Sequence, residues 1–424
     1  RVRSQFKMAV GKFEGVEEPL TRIGAYTYMM DATRKMTAGA VDLGEKPSVV
    51  SAIAKYHVTE RARQVVNDGM DIVGGKGICL GPSNFIGRAY QQIPIGITVE
   101  GANILTRSLI VFGQGAIRCH PYLLPEMQAA QNKDTKKGLV DFDKALWGHV
   151  GYTIRNGFRA LWLGMTGSHF VAVDVDVAPE VRRYYQQMAR FSAAFAFLSD
   201  ISLLVLGGSV KRREKLSARL GDILAQMYLI SCTLKRYEDE GRQAADAPLM
   251  HWAIWDSMYK AQEAFDGVIA NFPIRFIAAF LHRSIFPWGH PYVVPSDDLG
   301  HDVAKSLIQP SATRDRLTAE CYLPMSENEP VGAIELALLA TLEAEAIEAR
   351  IREAEKAGRF ANNPLANVRD IAIAAAEAGV ITAAEFDKMK RRNQLRDIVV
   401  NVDDFPFDFN VATANKPAAE RKAA

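Results

Sequence analysis

Ile95-Gly96-Ile97-Thr98-Val99-Glu100-Gly101-Ala102-Asn103-Ile104-Leu105-Thr106-Arg107 is the stretch on which the reading of this chain turns. A β-branched, glycine-punctuated run leads to one carboxylate, Glu100, and an apolar pattern with helical spacing then continues to Phe112. The spacing predicts Glu100 in the first turn of that helix. Between Arg88 and Arg107 no other residue is charged, and the neighbours of Glu100 are Ile, Val, Gly and Ala. Such a setting desolvates a carboxylate and lifts its pKa toward the range useful to a general base. A carboxylate at a helix start also serves as a plain cap or dipole partner, worth about 0.3–1 kcal/mol. Spacing alone leaves both roles open.

Outward from this stretch the chain stays helical. Residues 1–14 read as the end of a long helix stopped by Gly11 and Gly15, and a second helix spans 16–43 with Gly44 as its stop. Pro47 suits the first turn of a third, which ends at Gly74-Gly75-Lys76-Gly77. That glycine cluster follows a helix and lacks the GxxxxGK[ST] and GxGxxG spacings, so it is neither a P-loop nor a dinucleotide fingerprint. It reads as a helix stop whose bare backbone lets a cofactor or a partner subunit approach closely. Residues 84–92 make a short amphipathic helix that Pro94 breaks.

Beyond Gln131 the run 132–138 is polar and turn-rich, and a domain boundary is expected there. Helical patterns follow at 142–165, 181–206, 211–241, 252–281, 335–358, 367–378 and 382–400, with a rigid aromatic loop at 286–292. His290 in that loop reads as a packing residue. Lys211-Arg212-Arg213-Glu214-Lys215 reads either as a solvated helix start or as a contact for anionic lipid or CoA phosphates. The fold class expected is all-α. The expected division is a first helical domain over 1–131, a linker over 132–140, a second and larger helical domain over 141–411, and a disordered tail over 412–424.

The totals set outer limits. The chain has 424 residues, 48% of them hydrophobic and 24% charged, which is ordinary for a folded protein with sizeable cores. A net charge of +2 gives no mandate for nucleic acid. Cys79, Cys119, Cys232 and Cys321 are scattered without a CxxC pair, so neither a metal knuckle nor a disulfide framework is expected, and a reducing compartment fits. The longest apolar run, 192–210, has Asp200 in its middle, which argues against a membrane span. A start at Arg1, inside an amphipathic pattern, reads as a fragment or processed form of a longer protein.

Arg3-Ser4-Gln5-Phe6, two long helices, Ile72-Val73-Gly74-Gly75-Lys76-Gly77 and Val99-Glu100-Gly101 resemble, in order and spacing, the C-terminal four-helix bundle of the acyl-CoA dehydrogenases. Residues 75–81, 98–108 and 113–122, with the long region after 140, resemble more closely the large bacterial fatty-acyl-CoA dehydrogenases. The resemblance implies FAD as cofactor and an acyl-CoA of medium or long chain as substrate, converted to the trans-2-enoyl-CoA in fatty-acid β-oxidation. It implies Glu100 as the base for the α-proton, with Gly101 beside the substrate. Arg3, Phe6, Gly74, Gly75 and Ala102 fall on cofactor-binding positions, those at Arg3, Phe6, Gly74 and Gly75 facing the FAD of a neighbouring subunit. The chain departs from the family pattern at Asp71, Val99, Ala102 and Ile104; at Ala102 a backbone N–H takes over from a side-chain hydroxyl. The implied partners are electron-transfer flavoprotein as acceptor and a second copy in a homodimer, whose outer surface the second domain covers. The implied location is cytoplasmic, with peripheral attachment at the inner membrane as a variant. Two rival readings are an acyl-CoA oxidase and a non-catalytic helical scaffold that binds acyl-CoA or a membrane.

Overall fold

The computed structural model describes residues 1–6, 8–360 and 368–405. Among these residues strand is confined to a two-residue antiparallel pair, and the rest of the regular structure is helical. The elements are β1 (Ser4–Gln5), β2 (Met8–Ala9), α1 (Glu14–Asp42), α2 (Ser48–Val73), α3 (Gly75–Ile78), α4 (Gly87–Thr98) and α5 (Asn103–Leu105). A π-helix, Thr106–Gln114, leads into α6 (Gly115–Cys119) and α7 (Leu123–Ala130). Then come α8 (Thr135–Met165), α9 (Pro179–Leu206), α10 (Glu214–Asp239), α11 (Ala247–Ala270) and α12 (Arg275–Ile285). The last are α13 (Asp297–Leu307), α14 (Ala312–Thr318), α15 (Pro330–Lys356), α16 (Val368–Glu377) and α17 (Ala383–Val400). The all-α class expected from the sequence holds.

The helix ends follow local chemistry. Gly44 and Gly74 take φ +87° and +65° at the ends of α1 and α2, where a side chain would be strained. Asp134 caps α8 by accepting from the backbone N–H groups of Lys136 and Lys137. Thr382 and Glu385 form a reciprocal capping box on α17.

Compactness divides the chain into two units, each drawn from separated stretches. One comprises 1–23, 65–93 and 304–424; the other comprises 24–64 and 94–303. In the first, α15 packs on α16 and α17 around Ala344, Ile347, Ile351, Ala372 and Met389. In the second, α10 is the central helix: Leu220, Ile223, Leu229, Ile230 and Leu234 are fully enclosed, and α11 packs along it. The stretch 132–140 lies in this second unit, as a turn at 132–134 and the start of α8. Residues 412–424 lie outside the described residues.

Two expectations need correction. Residues 1–14 are not the end of a long helix but a hairpin followed by a single 3-10 turn at Val10–Lys12. Phe6 takes φ +50° at the hairpin tip, and the Val10 N–H bonds the Arg3 carbonyl. Pro94 does not break its helix, since α4 runs through it to Thr98. The N–H that proline lacks would have bonded the Tyr90 carbonyl, and Tyr90 is an exposed residue.

Candidate functional site

Glu100 stands in a tight turn between α4 and α5. The Val99 N–H still bonds the Ile95 carbonyl, and then Glu100 and Gly101 take φ +58° and +97° in succession. Glycine adopts such angles freely; for a glutamate they cost on the order of 1 kcal/mol, a strain of the kind found at functional turns. Ala102 then becomes the N-cap of α5 without a side-chain cap bond. Glu100 therefore precedes the helix instead of occupying its first turn. It is exposed, as are Gly101 and Ala102, which corrects the expectation of a desolvated carboxylate within this chain.

The turn is anchored from α2. The Lys55 ammonium donates to the Gly101 carbonyl at 2.6 Å and to Asn103 Oδ1 at 2.5 Å. Asn103, 4% exposed, donates its amide to Thr59 Oγ1 at 2.9 Å and to Glu60 Oε1 at 2.8 Å. Both ends of the Asn103 amide are thus committed, and the Gly101 carbonyl has a cationic partner. Burial lowers the Lys55 pKa against the pull of Glu60. On the enclosed side of the same helix, His57 Nδ1 faces the Arg61 guanidinium at 2.9 Å, and burial with Arg61 holds the ring well below its ordinary pKa.

The helix that follows is widened to π geometry over 106–114, a form that recurs near functional sites. Arg107 at its start makes a bidentate pair with Asp222 of α10, with Nε–Oδ1 at 2.8 Å and Nη2–Oδ2 at 2.5 Å, which raises the arginine pKa. Gly221 lets this helix approach, since a Cβ there would meet Val111 at 3.3 Å.

The other candidate residues lie in the first unit. Arg3 Nη1 donates to the Val73 carbonyl at 3.4 Å, and a Cβ on Gly74 would lie 3.4 Å from the same nitrogen. Gly75 has open space around its Cβ position. Arg3, Gly75 and Lys76 line a cavity of about 430 Å³ whose other walls include Val2, Ile72 and Val402. Lys76 is buried and donates to Ser83 Oγ and, at 2.6 Å, to the Asn401 carbonyl; its pKa is lowered by burial, against Asp403. A Cβ on Gly81 would sit 2.1 Å from Asp403 Oδ2, so any larger residue there would displace the Asp403 side chain. Phe6 is 91% exposed and touches Phe13 edge to face. The structure thus brings Arg3, Gly74 and Gly75 together, and Glu100, Gly101 and Ala102 form a second set in the other unit.

Three further clusters lie outside these two sets. His290 pairs with Asp266 at 2.9 Å, and Lys211–Lys215 is exposed at the start of α10. His120, His149 and Asp200 converge, a grouping that sequence reasoning missed because the partners are far apart in the chain. His120 Nδ1 accepts the Tyr122 and Leu123 N–H groups, so Nε2 carries the proton that Asp200 accepts at 2.8 Å. That proton stands where a metal ion would have to bind. Thr153 donates to the other Asp200 oxygen, and His149 Nδ1 pairs with Glu126, which makes the cluster a staple among α7, α8 and α9. The same pairing gives the one acid in the apolar stretch of α9 a structural role.

Residues 1–112 match the family described as acyl-CoA dehydrogenase, C-terminal domain, and residues 117–405 match acyl-CoA dehydrogenase, C-terminal, bacterial type. The mouse very long-chain specific acyl-CoA dehydrogenase, mitochondrial, is 26% identical over 235 residues, 55% of this chain and 33% of that protein. The 3-(aryl)acrylate reductase of Clostridium sporogenes (strain ATCC 15579) is 28% identical over 108 residues, 26% of this chain and 28% of that protein. The chain spans about a third of the length of these curated relatives. A crystal structure of an acyl-CoA dehydrogenase complexed with FAD from Bacillus anthracis superposes with TM-score 0.50 at 14% identity, over 75% of this chain and 51% of that one, a likeness of fold. The chain belongs to the acyl-CoA dehydrogenase C-terminal family of bacterial type.

Proposed function

We propose that this chain is the C-terminal helical part of an FAD-dependent acyl-CoA dehydrogenase, and that Glu100 is its α-proton base. The observation that carries the reading is the Glu100–Gly101 turn, with two successive left-handed residues and a carbonyl held by Lys55. Such a turn fixes the backbone while leaving the carboxylate free to meet a ligand. In the reaction a Glu100 oxygen takes the α-proton of the thioester as the C–H bond to the β-carbon gives up a hydride, leaving the α,β double bond. Bound FAD supplies the acceptor for that hydride. The base works best when dry, and on this reading bound substrate together with the remainder of the protein covers the open side of Glu100.

The residues of the first unit fit the cofactor's chemistry. Arg3 and Lys76 are cations beside a glycine pair whose backbone is bare, and a guanidinium suits a pyrophosphate as a forked donor. Arg3, Phe6, Gly74 and Gly75 on this reading hold the FAD of a second subunit, and the Ala102 backbone serves its own. Medium or long acyl chains belong to the same reading, and the names of the very long-chain specific relatives favour its long end. Electron-transfer flavoprotein as acceptor, a homodimer, and a cytoplasmic location complete the proposal. Division into a domain over 1–131, a linker over 132–140 and a domain over 141–411 is part of the same reading; the two family matches meet earlier, between 112 and 117.

The test is anaerobic mixing of the full-length protein with palmitoyl-CoA while flavin bleaching is followed. Wild type should bleach, and Glu100→Gln should retain flavin yet bleach at least ~10³-fold more slowly, because the proton acceptor is lost at constant volume. Equal bleaching in both would place the base elsewhere. A full-length protein that never carries flavin would favour the scaffold reading, and reoxidation by dissolved oxygen faster than by electron-transfer flavoprotein would favour an oxidase.

A further inference from the structure

The chain leaves α17 at Asn401 in extended backbone, and the next residues lie against the loop 76–83. The Asn401 carbonyl accepts from the buried Lys76 ammonium at 2.6 Å, and the same ammonium donates to Ser83 Oγ. Asp403 holds Ser83 from the other side: its Oδ2 accepts the hydroxyl at 2.6 Å and the backbone N–H at 3.1 Å. Gly81 makes room for this carboxylate by having no side chain to hold it off. Between the two anchors, Val402 forms part of the wall of the cavity that Arg3, Gly75 and Lys76 also line. Ser83 and Asp403 are 320 positions apart, so nothing in chain continuity brings them together.

The loop has an internal support as well, and the two supports do different things. Asn84, 6% exposed, places its amide nitrogen 2.9 Å from the Lys76 and Gly77 carbonyls, and its Oδ1 accepts the Gly87 N–H at 2.7 Å. That fixes the path of the backbone. The Lys76 ammonium and the Ser83 hydroxyl are left to each other, and both take their remaining partners from residues 401 and 403. A buried donor without an acceptor bears the full cost of its desolvation, so these partners decide where the Lys76 side chain points.

We propose that Asn401–Asp403 is a strap that sets the glycine loop for FAD, with Asp403 a positioning residue that acts through Ser83 and Lys76. The loop lies in the region matched over 1–112 and the strap in the region matched over 117–405, so the end of the bacterial-type region completes the cofactor loop of the region before it. This rests on the reading of Arg3, Gly74 and Gly75 as FAD-holding residues and is independent of the role of Glu100. The test is flavin retention on dilution of the full-length protein. Asp403→Ala should weaken FAD binding about 10-fold, the effect of one lost charged hydrogen bond. Gly81→Ala pushes the carboxylate aside without removing a polar group and should do the same, and the double variant should be no worse than either, because both break one contact. Asp403→Asn keeps an acceptor for the Ser83 N–H and should restore most of the affinity. Unchanged retention in Asp403→Ala and Gly81→Ala, with Arg3→Ala weakened, would overturn the strap and leave the cofactor reading standing. Losses that add in the double variant, or an Asp403→Asn no better than Asp403→Ala, would also overturn it. A wild type that carries no flavin would overturn both readings.

Discussion

Two glycine turns of this chain, 74–77 and 100–102, begin alike and end differently. Each follows a helix and opens with backbone in the left-handed region, at Gly74 in one and at Glu100 and Gly101 in the other. At the first, side chains are drawn inward: Lys76 is buried among Ser83, Asn401 and Asp403, and the backbone of Gly75 is left bare beside a cavity. At the second, the supports lie on α2, Lys55 and Thr59 hold Gly101 and Asn103, and the acid is left exposed. A turn that must let a ligand approach its backbone sheds side chains. A turn that must present one side chain fixes everything around it, and accepts strain at that residue.

If that contrast is right, the two turns should fail in different ways. Lys55→Met removes the partner of the Gly101 carbonyl and should lower the rate of substrate-driven flavin bleaching about 10²-fold, the effect of an ångström-scale misplacement, with flavin content unchanged. Lys55→Arg should restore most of the rate, and loss of flavin in Lys55→Met would erase the distinction between the turns. Arg3→Ala should do the reverse: FAD affinity falls about 30-fold, measured by flavin retention on dilution, as expected for a lost charged hydrogen bond, while the rate of the flavin that remains is kept. The smallest effect concerns α2 itself. His57 is held neutral in the fold, whereas the unfolded chain takes up a proton below about pH 6.5, so stability should fall as pH drops below that value, by up to about 1.4 kcal/mol per pH unit. Thermal melts from pH 7 to 5 should show a shallower slope in His57→Asn; an equal slope would remove His57 from the account.

How much of this was legible depended on distance along the chain. Helix starts and stops at Gly44, Pro47 and Gly74 could be read because their chemistry is local. The hairpin at 4–9 could not, because Phe6 adopts its positive φ without a glycine to mark it. Pro94 misled because a missing N–H matters little at an exposed turn of helix. Glu100 was found by its motif, but Lys55 lies 46 positions from the carbonyl it holds and nothing in its neighbourhood announces that role. His120, His149 and Asp200 were invisible for the same reason.

The central claim is that the exposed acid of the strained turn is the base. Stopped-flow mixing of anaerobic full-length protein with palmitoyl-CoA, in wild type and Glu100→Gln of matched flavin content, tests it most directly. The account predicts rapid bleaching in wild type and a rate at least ~10³-fold lower in the variant. Bleaching of the variant at the wild-type rate would contradict it.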